Sequence, residues 1–145
     1  MSLEKYVEIL LIEDSPGDIR LTEEAVQNAS FKAKLNPVTN GIDAMLYLRK
    51  KDPFQDASRP DLILLDLNMP KKSGREVLAE IKNDSDLKSI PVIILTTSNS
   101  HEDIVKSYEL NANSFITKPV ELDDFFRAIQ AIEEYWFSIA QLAKA

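Results

Sequence analysis

Three carboxylates, a hydroxyl and an ammonium stand at the ends of separate apolar runs in this 145-residue chain. Glu13 and Asp14 follow Tyr6-Val7-Glu8-Ile9-Leu10-Leu11-Ile12, and Asp66 follows Leu62-Ile63-Leu64-Leu65. Thr96 closes a fourth run, and Lys118 follows Ser114-Phe115-Ile116-Thr117. If the acids share one cleft, two carboxylates about 4 Å apart repel by roughly 4 kcal/mol at an effective dielectric of 20, and a cation is the natural resolution. Magnesium suits the donor set, because it takes oxygen ligands, sits on one or two carboxylates and leaves positions for phosphate oxygens. A calcium cage would need more acids at loop spacing, and a zinc site would need His or Cys. The chain has no cysteine and one histidine, His101, which reads as an exposed helix-start residue. A carboxylate held beside a divalent ion, facing an ammonium and a hydroxyl, can attack phosphorus and become an aspartyl phosphate. Asp66 is the candidate nucleophile, with Lys118 pairing one phosphoryl oxygen and Thr96 donating a hydrogen bond. Singly, each residue has a plainer explanation: Asp14 as a helix cap, Thr96 as a β-former, Lys118 as a solvated cation. Their combination points to phosphoryl chemistry.

The elements that must position these groups follow from the apolar patterning. Strands are expected at about residues 7–13, 33–38, 61–66, 91–96 and 114–117. Helical patterns lie at about 17–29, 41–50, 74–83 and 101–111, with a last one from about 122 onward. Short runs that are apolar throughout are buried on both faces, as parallel strands are, and parallel neighbours need crossover helices. The expectation is an α/β, doubly wound, five-stranded parallel sheet. The run Lys32-Ala33-Lys34-Leu35-Asn36-Pro37-Val38 alternates polar with apolar and carries a proline, which places it at a sheet edge. The order 2-1-3-4-5 then sets strands one and three side by side, with their acids at the carboxyl edge where open α/β sheets bind ligands.

Composition narrows the function classes. With 24 acidic against 17 basic residues the formal net charge is -7, which disfavours a nucleic-acid partner. The densest basic cluster, Arg49-Lys50-Lys51, ends a predicted helix and reads as a solvated cap. No apolar stretch approaches the ~20 residues of a membrane helix, and no signal-peptide order opens the chain, so a cytoplasmic protein is expected. From Leu122 to Lys144 there is neither Gly nor Pro, and Phe125, Ile129, Ile132, Trp136, Ile139 and Ala143 form a stripe at spacings of four and three. Such a helix would run roughly 30 Å, longer than a compact sheet needs, so its excess either folds back or mediates a homodimer.

These motifs together resemble a response-regulator receiver domain: Ile12-Glu13-Asp14, then Leu65-Asp66-Leu67-Asn68-Met69-Pro70 followed by Gly74, then Leu95-Thr96-Thr97, then Thr117-Lys118-Pro119. The resemblance covers about residues 5–130, leaving 131–145 as a C-terminal extension of the last helix. Glu13-Asp14-Ser15-Pro16-Gly17-Asp18 and the stretch from Asn68 to Gly74 are similar to stand-alone regulators that serve phytochrome-type histidine kinases. The resemblance implies a flavodoxin-like fold and a phosphoacceptor, Asp66, charged by a kinase phosphohistidine. It implies Mg2+ on Glu13, Asp14, Asp66 and the backbone carbonyl of Asn68. It implies a switch in which the Thr96 hydroxyl moves toward the phosphate and the Phe115 ring turns inward, and a cis Lys118-Pro119 bond. Thr97 is bulkier than the small residue often found after the switch threonine, and Asn68 sets an amide beside the acceptor. Both are expected to alter phosphate lifetime.

Two rivals differ in class. An aspartate-nucleophile phosphohydrolase generally carries a second acid two residues after the nucleophile, where this chain has Asn68, which cannot transfer a proton. An inactive adaptor on the same fold would not need the full acid set with Thr96 and Lys118. The chain is thus expected to be no enzyme beyond self-phosphorylation and slow autodephosphorylation. Roughly 15 residues beyond 130 are too few for a DNA-binding domain with its own core, so output to a downstream protein by contact is expected.

Overall fold

A computed structural model describes residues 7–28, 32–67, 69, 72–96, 114–118 and 120–131. The strands are β1 (Val7–Ile12), β2 (Ala33–Val38), β3 (Leu62–Asp66), β4 (Val92–Thr96) and β5 (Ser114–Thr117). The helices are α1 (Pro16–Gln27), α2 (Gly41–Leu48), α3 (Gly74–Asn83) and α4 (Leu122–Ala131). All strand pairs are parallel, in the order β2-β1-β3-β4-β5, so the proline-bearing β2 lies at an edge. The helix expected at 101–111 and the chain beyond 131, including Trp136, lie outside the described residues.

The period of two along each strand sorts the core into two layers. Leu10, Ile12, Ile63, Leu65, Val92 and Ile94 face α2 and α3, packing with Met45, Leu48, Val77 and Ile81. Ile9, Leu11, Leu62, Leu64, Ile93 and Leu95 face the other way, against Ala25 and Val26 of α1 and Phe125 of α4. From Ile9 to Ile12 and from Leu62 to Leu65 every residue is fully buried, the two-sided burial that an unbroken apolar run requires.

The helix boundaries have local causes. Ser15, extended at φ -86°, accepts from the Asp18 N–H at 3.3 Å and starts α1 with Pro16 in the first turn. The cap that sequence reasoning allowed to Asp14 is therefore made by Ser15. Asn40 caps α2 reciprocally: its Oδ1 accepts from the Asp43 N–H at 2.8 Å while its Nδ2 donates to Asp43 Oδ2 at 3.0 Å. That helix ends with Lys50 in the left-handed region at φ 53°. The Lys51 N–H reaches Leu46 O at 2.9 Å and the Lys50 N–H reaches Tyr47 O at 3.1 Å, the paired bonds of a Schellman ending. Arg49, Lys50 and Lys51 are exposed, as expected of a solvated cap.

Candidate phosphoryl and metal site

Strand register brings the acids together. Ile12 pairs with Leu65, so Glu13 and Asp66 are the next residues on adjacent strands, at the carboxyl edge of the sheet. Neighbouring strands lie about 4.8 Å apart, which makes close approach of the two carboxylates unavoidable. Asp14, one residue further, completes the group: one ligand oxygen from each of Glu13, Asp14 and Asp66 lies within 4.8 Å of the others. Glu13 is fully buried, Asp66 is 2% exposed, and Asp14 opens to solvent.

The backbone around Asp66 is held from the α3 side. The Leu67 N–H donates to Leu95 O at 3.3 Å, and the Gly74 N–H donates to Leu67 O at 3.1 Å. A Cβ on Gly74 would lie 2.1 Å from the Asp66 carbonyl oxygen and 2.6 Å from Leu67 Cα, so only glycine lets α3 start this close to the strand end.

Lys118 enters from β5, two strands away from β3, and its side chain spans β4. Its ammonium touches three carboxylates: Glu13 Oε1 at 2.5 Å, Asp18 Oδ2 at 3.2 Å and Asp66 Oδ2 at 3.3 Å. The Lys118 side chain is only 7% exposed, so these ion pairs are shielded from solvent. Burial pulls the Lys118 pKa down, but its hydrogen bond to Glu13 and the charges of Asp66 and Glu13, with a further bond to Asp18, outweigh it and leave it raised. The ammonium is therefore permanent at neutral pH.

Glu13 shows the opposite balance. Burial raises its pKa to about 7, the hydrogen bond to Lys118 lowers it, and the adjacent Asp66 raises it again. Its Oε2 accepts from the Ser15 N–H at 3.3 Å. Its Oε1 is buried and meets the Lys118 ammonium at 2.5 Å. A hard-oxygen cluster of three acids within 4.8 Å of one another, with one carboxyl driven toward protonation and one acid open to solvent, is short of positive charge. A divalent cation fits that set.

Of the residues expected from sequence, Glu13, Asp14, Asp66 and Lys118 thus converge. Thr96 ends β4 opposite Thr117, and Phe115 lies on β5 opposite Ile94, which puts Thr96 at the same sheet edge. The side chains of Thr96 and Phe115, and the whole of Asn68, Thr97, His101 and Pro119, lie outside the described residues, as does the expected cis bond before Pro119. Sequence reasoning missed Asp18 as a site residue. Asp18 stands at the end of the first acidic motif, but nothing in its spacing marks it as a partner for a lysine one hundred residues away; the distance in the fold does.

A family model described as "Response regulator receiver domain" matches residues 9–130. The chain is 46% identical over 137 residues to "Response regulator Rcp1" of Synechocystis sp., covering 94% of this chain and 93% of that protein. Among solved structures, the phosphorylated cyanobacterial phytochrome response regulator RcpA superposes with a TM-score of 0.78 at 50% identity, covering 93% of this chain and 96% of that one. The Mn(2+)-bound form of Rcp1 superposes at 0.75 with 47% identity, over 89% of this chain and 93% of that one.

Proposed function

Because the chain belongs to the response-regulator receiver family of two-component systems, we propose that Asp66 is its phosphoacceptor, charged by the phosphohistidine of a sensor histidine kinase. The observation that carries this reading is the meeting of the Glu13, Asp14 and Asp66 carboxylates within 4.8 Å, with the Lys118 ammonium 3.3 Å from Asp66. In the transfer, an Asp66 carboxylate oxygen attacks phosphorus and an O–P bond forms. The P–N bond to the kinase histidine breaks, its electron pair stays on the ring, and the imidazole leaves neutral when its other nitrogen carries a proton.

Glu13, Asp14 and Asp66 would hold Mg2+, with the backbone carbonyl of Asn68 as a further ligand. Such an ion neutralises charge on phosphoryl oxygens as a Lewis acid. Lys118 supplies a fixed ammonium to the same oxygens from the opposite side, and burial keeps its field from being screened. Gly74 lets the Asp66 backbone stay against α3 while the side chain reacts. Thr96 and Phe115 form the switch, Thr97 and Asn68 modulate phosphate lifetime, and Pro119 follows Lys118 in a cis bond. The protein is no enzyme in this reading: it phosphorylates itself from the donor and loses the group slowly.

Output passes to a downstream protein by surface contact and not by DNA binding. The phosphoryl group shifts that surface only as far as its contacts differ between two states. Similarity to RcpA, named a phytochrome response regulator, supports a phytochrome-like kinase as the donor. The location is cytoplasmic, and the unit is a receiver domain over residues 5–130 with 131–145 extending the last helix, whose apolar stripe in the sequence supports a homodimer.

Incubation with Mg2+ and acetyl phosphate tests the reading. One phosphoryl group should appear as a mass shift in the parent protein and be absent in Asp66→Asn. Modification that persists in Asp66→Asn, or rapid multiple-turnover phosphate release from varied monoesters, would overturn it.

A further inference from the structure

An ammonium has three N–H donors, and each of the three on Lys118 has a carboxylate within reach. In the function proposed above, two of those carboxylates have other work: Glu13 is a metal ligand, and Asp66 carries the phosphoryl group. Asp18 has no such task. It is not one of the three clustered acids, yet its Oδ2 accepts from Lys118 Nζ at 3.2 Å.

The backbone that carries Asp18 is fixed. Its N–H is held by the Ser15 hydroxyl at 3.3 Å, and its carbonyl accepts from Thr22 Oγ1 at 2.8 Å. Thr22 is fully buried and the Asp18 side chain is 28% exposed, so the carboxylate projects from an anchored turn into a largely shielded contact. Lys118, by contrast, hangs on a four-carbon stem with freely rotating bonds. A divalent ion on Glu13 would draw that carboxylate's charge away and repel the ammonium, and the stem alone would not hold it in place.

We propose that Asp18 is a positioning residue. It anchors the Lys118 ammonium so that the donor stays aimed at the oxygens on Asp66 when Glu13 is engaged with the metal. The proposal rests on the function assigned above, and it concerns a contact between α1 and the residue that follows β5.

The test compares the intact parent protein with Asp18→Ala, Asp18→Glu, Lys118→Ala and the double variant Asp18→Ala/Lys118→Ala. Far-UV circular dichroism checks folding, and Asp18→Asn replaces Asp18→Ala if the latter unfolds. At saturating Mg2+, Asp18→Ala should slow Asp66 phosphorylation by acetyl phosphate about tenfold, the scale of one charge-assisted hydrogen bond. Asp18→Glu should recover most of the rate. In the Lys118→Ala background, removal of Asp18 should change nothing further, because its effect runs through the ammonium. Independently of phosphorylation, nitrogen-15 NMR of the Mg2+-saturated protein should show slowly exchanging Lys118 ammonium protons in the parent and in Asp18→Glu. That signal should be lost in Asp18→Ala. An equal slowing in both lysine backgrounds, or a protected ammonium that survives Asp18→Ala, overturns the proposal. A parent protein that takes no phosphoryl group defeats the functional reading instead, and the ammonium signal still decides the role of Asp18.

Discussion

Burial of Glu13 beside Asp66 gives the metal-free protein a pH dependence of definite sign. The folded-state pKa of Glu13 is raised from 4.5 to about 7, so the folded chain binds a proton more tightly than the unfolded one. The associated stability is fully present below pH 4.5, is lost as pH rises, and is gone above about 7. At 1.36 kcal/mol per unit, the shift amounts to at most about 3 kcal/mol. Glu13→Gln supplies a permanently neutral side chain of the same shape and should remove this component. Parent and variant should therefore be close in stability near pH 4.5, and the variant should become the more stable by up to about 3 kcal/mol by pH 8. For a domain of this size that is a separation on the order of 10 °C in Tm. Urea unfolding followed by far-UV circular dichroism, in buffers with chelator, measures the difference at each pH. Adding Mg2+ should narrow it by stabilising the parent more than Glu13→Gln, since the ion replaces the proton as the source of positive charge. Parallel profiles for parent and variant between pH 4.5 and 8 would refute the reasoning, because Glu13 would then titrate as an ordinary solvated carboxyl.

Three further outcomes follow from single contacts. Asp66→Asn should raise Tm in metal-free buffer at pH 8, by a net of about 1 kcal/mol, because relief of carboxylate crowding exceeds the loss of one ion pair with Lys118; a lower Tm would mean the acids do not crowd one another. Gly74→Ala drives a methyl into the Asp66 carbonyl and should cost about 2 kcal/mol or more while slowing phosphorylation, measured by urea unfolding and by mass shift; unchanged values would place α3 further from the strand than 2.1 Å implies. Lys50→Gly relieves a left-handed residue at the end of α2 and should stabilise by about 1 kcal/mol in the same unfolding assay, with no effect on phosphorylation.

What was legible in the sequence and what was not divides along a physical line. Strand identity could be read because burial on both faces leaves an unbroken apolar run, as in Ile9-Leu10-Leu11-Ile12, and the edge position of β2 could be read because Pro37 and its alternating neighbours exclude a central one. The acid triad could be read because adjacent strands ending on acids must juxtapose them once the order is known. Helix ends were less legible. The pattern of the first helix extends to about residue 29, whereas α1 ends at Gln27, and the pattern of the second extends to about 50, whereas α2 stops at Leu48. Hydrophobic periodicity fades in an exposed last turn, and hydrogen bonds such as those closing α2 at Lys50 and Lys51 decide the boundary. Asp18 was illegible as a partner of Lys118 because a side-chain contact between a helix and a strand one hundred residues apart leaves no spacing rule to read.

The charge balance at the sheet edge ties these observations into one mechanism. Glu13, Asp14, Asp18 and Asp66 set four carboxylates around or beside the ammonium of Lys118. Burial, with the adjacent Asp66 adding to it, raises the Glu13 pKa to about 7 against the pull of Lys118, so the site favours an added positive charge, a proton or a metal ion. A phosphoryl group would add further negative charge at Asp66, so it cannot accumulate there on the ammonium alone. In the proposed function, metal binding and phosphorylation would be coupled through the same charge balance, each favouring the other, and such a coupling is reciprocal in free energy. Chelation should consequently block formation of the phosphorylated state. Phosphorylation should in turn tighten divalent-ion binding by the same factor, measurable by calorimetry on the phosphorylated and unphosphorylated protein. Equal affinities in the two states would show that the deficit is met by some other group and that the acids act independently of the phosphoryl group.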